Sequence, residues 1–246
     1  MGQLEGEVAI VSGAAGALGR AVAEALAAEG ATLVLADRDP AVGQQAQTLG
    51  ARHVAVAADV ATAPGAVSVA EAARRFATPV TVLVLAASTY AASPVSAPWD
   101  TAVADFDRLV DDNLKSALVL GRACIPLMLG QQKGNIVLMN SHDVLPAVAG
   151  PTNGPEYDLF NAAAWGRNGL TDSWSRGLAG HGIRVNAVCP APPGDGLSPA
   201  DVAKVVMELL AEGPGGRNGQ NIGLWPGRPA LLGPVKAPHR AIFYND

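Results

Sequence analysis

Residues 11–21 read VSGAAGALGRA, a glycine-rich run between an apolar strand pattern (EVAIVSG, 7–13) and an amphipathic helix pattern (GRAVAEALAAEG, 19–30). In that setting a glycine-rich turn cradles a diphosphate. Gly13 permits the tight turn, while Gly16 and Gly19 keep side chains away from the ligand and from the helix–sheet contact. The first N–H groups of the helix, at the positive end of its dipole, then face the phosphates. Ser12, Ala15, Ala17 and Leu18 complete the same turn. Eighteen residues after Gly19, the run ATLVLAD (31–37) closes on Asp37. A carboxylate there accepts from both hydroxyls of a ribose and repels a 2′-phosphate. The pattern predicts NAD(H) as the preferred cofactor, and Arg38 beside Asp37 keeps NADP(H) as the alternative. A glycine-rich turn without a ligand is the competing reading.

The same alternation continues outward from this turn. HVAVAADV (53–60), VTVLVLAAS (80–88), GNIVLMNS (134–141), IRVNAVCP (183–190) and QNIGLW (220–225) are near-continuous apolar runs. Such runs suit parallel strands covered on both faces. Helical patterns lie between them. SPADVAKVVMELLAEG (198–213) opens with Ser198 at an N-cap, Pro199 at the first helical position and an acid just after it. No repeat or linker divides the chain. The prediction is an α/β fold: one Rossmann-type domain over residues 1–227, with a doubly wound parallel sheet of about seven strands and helices on both faces. Residues 228–246 are proline-rich and basic and predict an irregular tail.

Composition narrows the partners. The chain is 49% hydrophobic but 4% aromatic, so alanine and valine dominate its core. A net charge of −5 and the lack of any Lys/Arg cluster argue against nucleic acid or an anionic membrane. VLVLAA (82–87) is far shorter than a bilayer span, and MGQLEGEVAIVSG has no basic segment ahead of an apolar one. Cys124 and Cys189 have neither disulfide-framework nor metal-ligand spacing. These features predict a reduced, cytoplasmic protein that binds a small molecule and no metal.

The motifs together resemble the short-chain dehydrogenase/reductase superfamily over nearly the whole chain, to about Gly227. Its TGxxxGxG is matched by Ser12, Gly13 and Gly19, with Ala17 at the middle glycine and Gly16 one place early. Asp59-Val60 matches the pair that contacts adenine, and Asn186 and Pro190 match the nicotinamide-side NxxxPG turn, with Ala191 for glycine. LAAS (85–88), containing Ala86 and Ala87, stands where the family has NNAG. The resemblance implies a catalytic tetrad of Asn, Ser and Tyr-x-x-x-Lys. Asn113 and Ser141 match its first two members. Counting back from Leu170-Thr171 puts the tyrosine at Phe160 and the lysine at Ala164, neither of which can move a proton.

Other proton donors stand nearby. Tyr157 lies seven residues before Ala164, a spacing similar to the Tyr-x6-Lys of the enoyl-reductase branch. His142, with Asp143, adjoins Ser141 and offers a second source of a proton. Only APPGDGL (191–197) separates Pro190 from the last long helix, where the family folds a substrate lid, so a wide cleft is expected. The stretch between Ser141 and Phe160 is instead longer than usual. Two functions remain open at this point: an NAD(H)-dependent reductase of a carbonyl or activated C=C with its own proton donor, or a non-catalytic NAD-binding module or partner subunit. The helices around 100–130 and 160–180 resemble those that pair between subunits of the family, which implies a homodimer or homotetramer.

Overall fold

The computed structural model describes residues 2–145, 154–227 and 231–234. Seven strands run parallel: β1 (Val8–Ser12), β2 (Thr32–Asp37), β3 (Val54–Ala57), β4 (Val80–Leu85), β5 (Gly134–Met139), β6 (Ile183–Pro190) and β7 (Gln220–Leu224). Each coincides with one of the apolar runs. The helices between them are α1 (Ala17–Ala28), α2 (Ala41–Leu49), α3 (Ala63–Arg74), α4 (Trp99–Val110), α5 (Ser116–Met128), α6 (Asp158–Leu178) and α7 (Pro199–Ala211). A π-helical turn, Asp111–Lys115, joins α4 to α5.

Strand periodicity splits the core in two. Val8 and Ile10 of β1 face one layer with α3, α5 and α6, while Ala9 and Val11 face the other with α1, α2 and α7. All five residues of β1 and all six of β4 are buried, as central parallel strands require. Cys124 on α5 and Cys189 in β6 are both buried and free. The start of α7 is as the sequence predicts. Ser198 Oγ accepts from Asp201 N at 3.1 Å, and the Asp201 carboxylate accepts from Ser198 N at 3.3 Å. No described helix is long and apolar enough to cross a membrane.

Inside the stretch expected to be an irregular tail, Leu231–Pro234 form an eighth strand, β8. It runs antiparallel to β7 and pairs Ile222 with Leu232 at the sheet edge. Gly227, at φ +65°, precedes it in a turn. An edge strand tolerates a proline that a central strand would not, so proline content was a poor guide for these four residues. The rest of the tail lies outside the described residues.

The sheet order is β3-β2-β1-β4-β5-β6-β7-β8. The chain starts in the middle, winds outward to β3 and returns to β4 on the other side of β1. Loops leaving the carboxyl ends of β1 and β4 therefore diverge, and a crevice opens between them.

Candidate active site

The crevice holds a cavity of about 340 Å³ lined by Gly13, Ala15, Gly16, Asp37, Arg38, Asp59, Val60, Ala86, Ala87 and Ser88, with Asp39 and Ala58. Gly13 adopts φ +65°, and a Cβ on it would lie 2.5 Å from the Ala86 carbonyl oxygen. The helix α1 has no side-chain cap at Gly16 and no acid in its first turn, whereas Thr62 caps α3 and Ser198 caps α7. Its leading N–H groups are left for an anion. Asp37 faces this cavity with its oxygens accepting from Ala15 N and Asp39 N, both at 3.0 Å. Arg38 turns to Asp112, which with its burial-opposing hydrogen bond raises the guanidinium above its ordinary value. A diphosphate-linked dinucleotide fits these groups.

Two of the expected cofactor residues act behind the wall. Ser12 is buried; its hydroxyl accepts from Ala86 N at 3.2 Å and donates to Val84 O at 3.4 Å, tying the ends of β1 and β4 together. Gly19 packs against the turn, where a Cβ would lie 2.1 Å from the Gly13 oxygen. Neither residue is among the described residues lining this cavity.

A second cavity of about 310 Å³ adjoins the first at Ser88, which lines both. Ala17, Leu18 and Pro190 lie on its wall, with Tyr90, Asn140, Ser141, His142 and Phe160. The short loop after β6 closes the far side through Pro192, Pro193, Gly194 and Leu197. Five residues of this short loop, Ala191 included, thus line the cavity. The longer stretch before Phe160 falls partly on residues 146–153, outside the described residues.

Three polar groups meet in this second cavity. Ser141, at the end of β5, starts the 3-10 turn His142–Val144 and donates its hydroxyl proton to Asp143 Oδ2 at 2.8 Å. His142 is buried, with Nε2 3.5 Å from Asp143 Oδ1. Asn140 faces the cavity with a buried side-chain amide that has no protein partner among the described residues. A buried amide in that state is a ready contact for a polar ligand. Tyr90 stacks on Tyr157 at 4.7 Å and meets Phe160 edge-on at 5.0 Å. Burial first, and then a hydrogen bond with Tyr157, raises the Tyr90 phenol far above its ordinary value, so it stays neutral.

The family model for short chain dehydrogenase matches residues 7–194. The chain belongs to that family. The 2-dehydro-3-deoxy-L-rhamnonate dehydrogenase (NAD(+)) of a Sphingomonas species is 34% identical over 193 residues, 77% of this chain and 73% of that one. The 2,3-dihydroxy-2,3-dihydro-p-cumate dehydrogenase of Pseudomonas putida is 34% identical over 194 residues, 76% and 71% of the two chains. The 1,6-dihydroxycyclohexa-2,4-diene-1-carboxylate dehydrogenase of Acinetobacter baylyi is 36% identical over 203 residues, 78% and 72%.

Within this short-chain dehydrogenase fold, Phe160 and Ala164 occupy the first turns of α6, both buried, and Phe160 lines the substrate-side cavity. The expected donor Tyr157 ends a 3-10 turn just before α6 and sits behind Tyr90, off the cavity wall. Asn113 lies in the π-helical turn and touches neither cavity. Its amide donates to Thr89 O and Leu109 O, each at 2.9 Å, and its oxygen accepts from Ser88 Oγ at 2.6 Å and Thr89 N at 3.1 Å. With every side-chain hydrogen-bonding position used, Asn113 fixes the Ser88–Thr89 segment.

Sequence reasoning passed over Tyr90, Ser88, Asn140 and Arg167. Tyr90 had a usable signal: an aromatic residue just past the carboxyl end of a buried strand, where ligands of such sheets bind. Arg167 had none, since a cation among apolar helix residues reads as surface. It is buried, and its guanidinium donates to the carbonyls of Asn113, Met139 and Ala87, the last at 2.7 Å.

Proposed function

We propose that this oxidoreductase of the short-chain family is NAD(H)-dependent and interconverts a small carbonyl compound and its secondary alcohol, or reduces an activated C=C, without a tyrosine–lysine pair. The observation that carries this reading is the continuity of the two cavities, one faced by Asp37 and the other by Ser141, meeting at Ser88. Gly13, Ala15 and Gly16 would hold the pyrophosphate against α1. Asp37 would take the adenosine ribose, Asp59 and Val60 the adenine, and Ala86, Ala87 and Pro190 the nicotinamide side. When bound, the cofactor supplies or accepts the hydride. Ser141 and Asn140 then hold the polar end of the substrate, and Tyr90, Phe160 and Leu197 its apolar part.

Two of the relatives above are, by their names, dehydrogenases of dihydroxy ring compounds. A hydroxylated ring of that size suits a cavity of about 310 Å³. The phenol of Tyr90, held neutral, suits donation to a carbonyl oxygen and not abstraction from an alcohol. The absent pair at Phe160 and Ala164 favours one competing reading, a non-catalytic NAD-binding subunit. A second copy of the chain is the proposed partner, and two buried free thiols fit the cytoplasm.

The preference for NAD(H) rests on charge. Asp37, Asp39 and Asp59 all line the first cavity, and Arg38, the one cation among the described lining residues, is engaged by Asp112. A 2′-phosphate would meet net negative charge. Fluorescence titration is expected to show NADH binding at least roughly tenfold tighter than NADPH, with Asp37→Ala narrowing the gap. Equal or tighter NADPH binding removes Asp37 from this role. Binding of neither, or binding without consumption of NADH by any carbonyl or enone, leaves the non-catalytic subunit standing.

A further inference from the structure

We propose that Ser141 and Asp143 form a two-step proton relay that does the acid–base work of this cavity. The inference rests on the oxidoreductase reading and adds the group that stores the proton. A serine hydroxyl has one proton to donate and two lone pairs. In Ser141 the proton goes to Asp143 Oδ2 at 2.8 Å, and one lone pair accepts from Asp143 N at 3.3 Å. One lone pair remains, on a residue that lines the cavity. While Asp143 is ionised, Ser141 therefore presents an acceptor, which suits a substrate hydroxyl. Once Asp143 is protonated, it can donate to Ser141, and Ser141 is released to donate to a carbonyl oxygen.

Among the other described groups lining this cavity, His142 is the one further candidate base, and Asp143 is distinguished from it by its direct hydrogen bond to Ser141. Phe160 carries no proton, and Tyr90 is held neutral by burial and by Tyr157. His142 lines the cavity itself, with Nε2 3.5 Å from Asp143 Oδ1. The titratable groups facing the carboxylate are His142 on its own turn and Tyr90 from the loop after β4, and Tyr90 is in turn faced by Tyr157 and Asp195. The Asp143 side chain is only 4% exposed, so it reaches the substrate through Ser141.

In oxidation, a bound nicotinamide would take up the hydride as the carbinol C–H bond breaks. The substrate O–H bond breaks as its proton joins Ser141 Oγ, and the original Ser141 proton joins Asp143, leaving a neutral acid and a C=O bond. Reduction runs the same transfers backwards, so charge and atoms balance in both directions. Asp143 is a proton store acting through Ser141, and Ser141 is the catalytic residue.

The relay can be read without turnover in two unreactive complexes of the full-length protein: cyclohexanol with the NADH-loaded form and cyclohexanone with the NAD+-loaded form. Calorimetry across pH is expected to show cyclohexanol affinity rising and cyclohexanone affinity falling through one shared titration, each by roughly tenfold. Asp143→Asn should flatten both curves, Asp143→Glu should restore them, and His142→Asn should shift them without flattening. Where a substrate is found, Asp143→Asn should lower kcat by about 10²- to 10⁴-fold, change KM little and remove the same limb from the pH profile. A titration that survives Asp143→Asn, vanishes in His142→Asn or is missing from the parent protein overturns the relay. If both affinities titrate as described and no substrate ever consumes NADH, the Ser141–Asp143 switch stands and the oxidoreductase reading alone falls.

Discussion

Arg167 lies one turn beyond Ala164 on α6, and its guanidinium is solvated by three carbonyls from three elements: the loop after β4, the end of β5 and the π-helical turn. Burial lowers its pKa to about 10, so it remains a cation at neutral pH. A buried charge is costly unless its donors are all satisfied, and here they bind the backbone that frames both cavities. Arg167→Met would leave those three carbonyls unpaired. The expected loss is about 3–5 kcal/mol by urea unfolding, with a smaller loss for Arg167→Lys; an unchanged midpoint would show that the carbonyls find water instead. The placing of Gly13 and Asp37 together on the first cavity was legible, because strand, turn and helix fix their spacing. Arg167 and Tyr90 were not, because their partners lie roughly 28 to 80 residues away in the chain and only the folded sheet brings them together.

At the scale of elements, the seven parallel strands could be read from apolar runs alone, since a strand covered on both faces has no polar side to confuse the pattern. The α7 cap was also legible, being wholly local. The strand β8 was not, because edge pairing asks little of the residues that make it. The break between α4 and α5 also went unread, as a π-helical turn leaves the 3.6-residue pattern almost intact. That turn aims Asn113 at Ser88 and Thr89 and directs Asp112 at Arg38 and Thr89. The α4 helix shows another feature: Trp99, Val103 and Phe106 are exposed along one stripe, Trp99 at 79%, and Trp165 on neighbouring α6 is 55% exposed. A stripe of that kind on paired helices fits burial against a second copy. Light scattering at micromolar concentration is expected to give a dimer or tetramer, and Val103→Asp with Phe106→Asp should shift it toward the monomer. A parent mass near 24.9 kDa would contradict this.

At the scale of the molecule, the switch in winding direction between β1 and β4 sets where the ligand groups gather, and the same sheet conceals two thiols. Cys124 lies in the layer of α3 and α5, and burial pushes its thiol up to about 12. Cys189, inside β6, is pushed up further by the same cause. Neither can form a reactive thiolate in the closed fold. Each is therefore a clock for opening: an alkylating reagent in excess reports how often its surroundings come apart. Because α5 is an outer layer and β6 a central strand, Cys124 should be modified at least as fast as Cys189, as mass spectrometry of quenched samples can show. Saturating NADH should slow the Cys189 clock by the factor that binding adds to global stability. If Cys189 reacted first, the sheet would be opening beneath helices that stayed in place, and the layered order of this fold's cooperativity would be inverted.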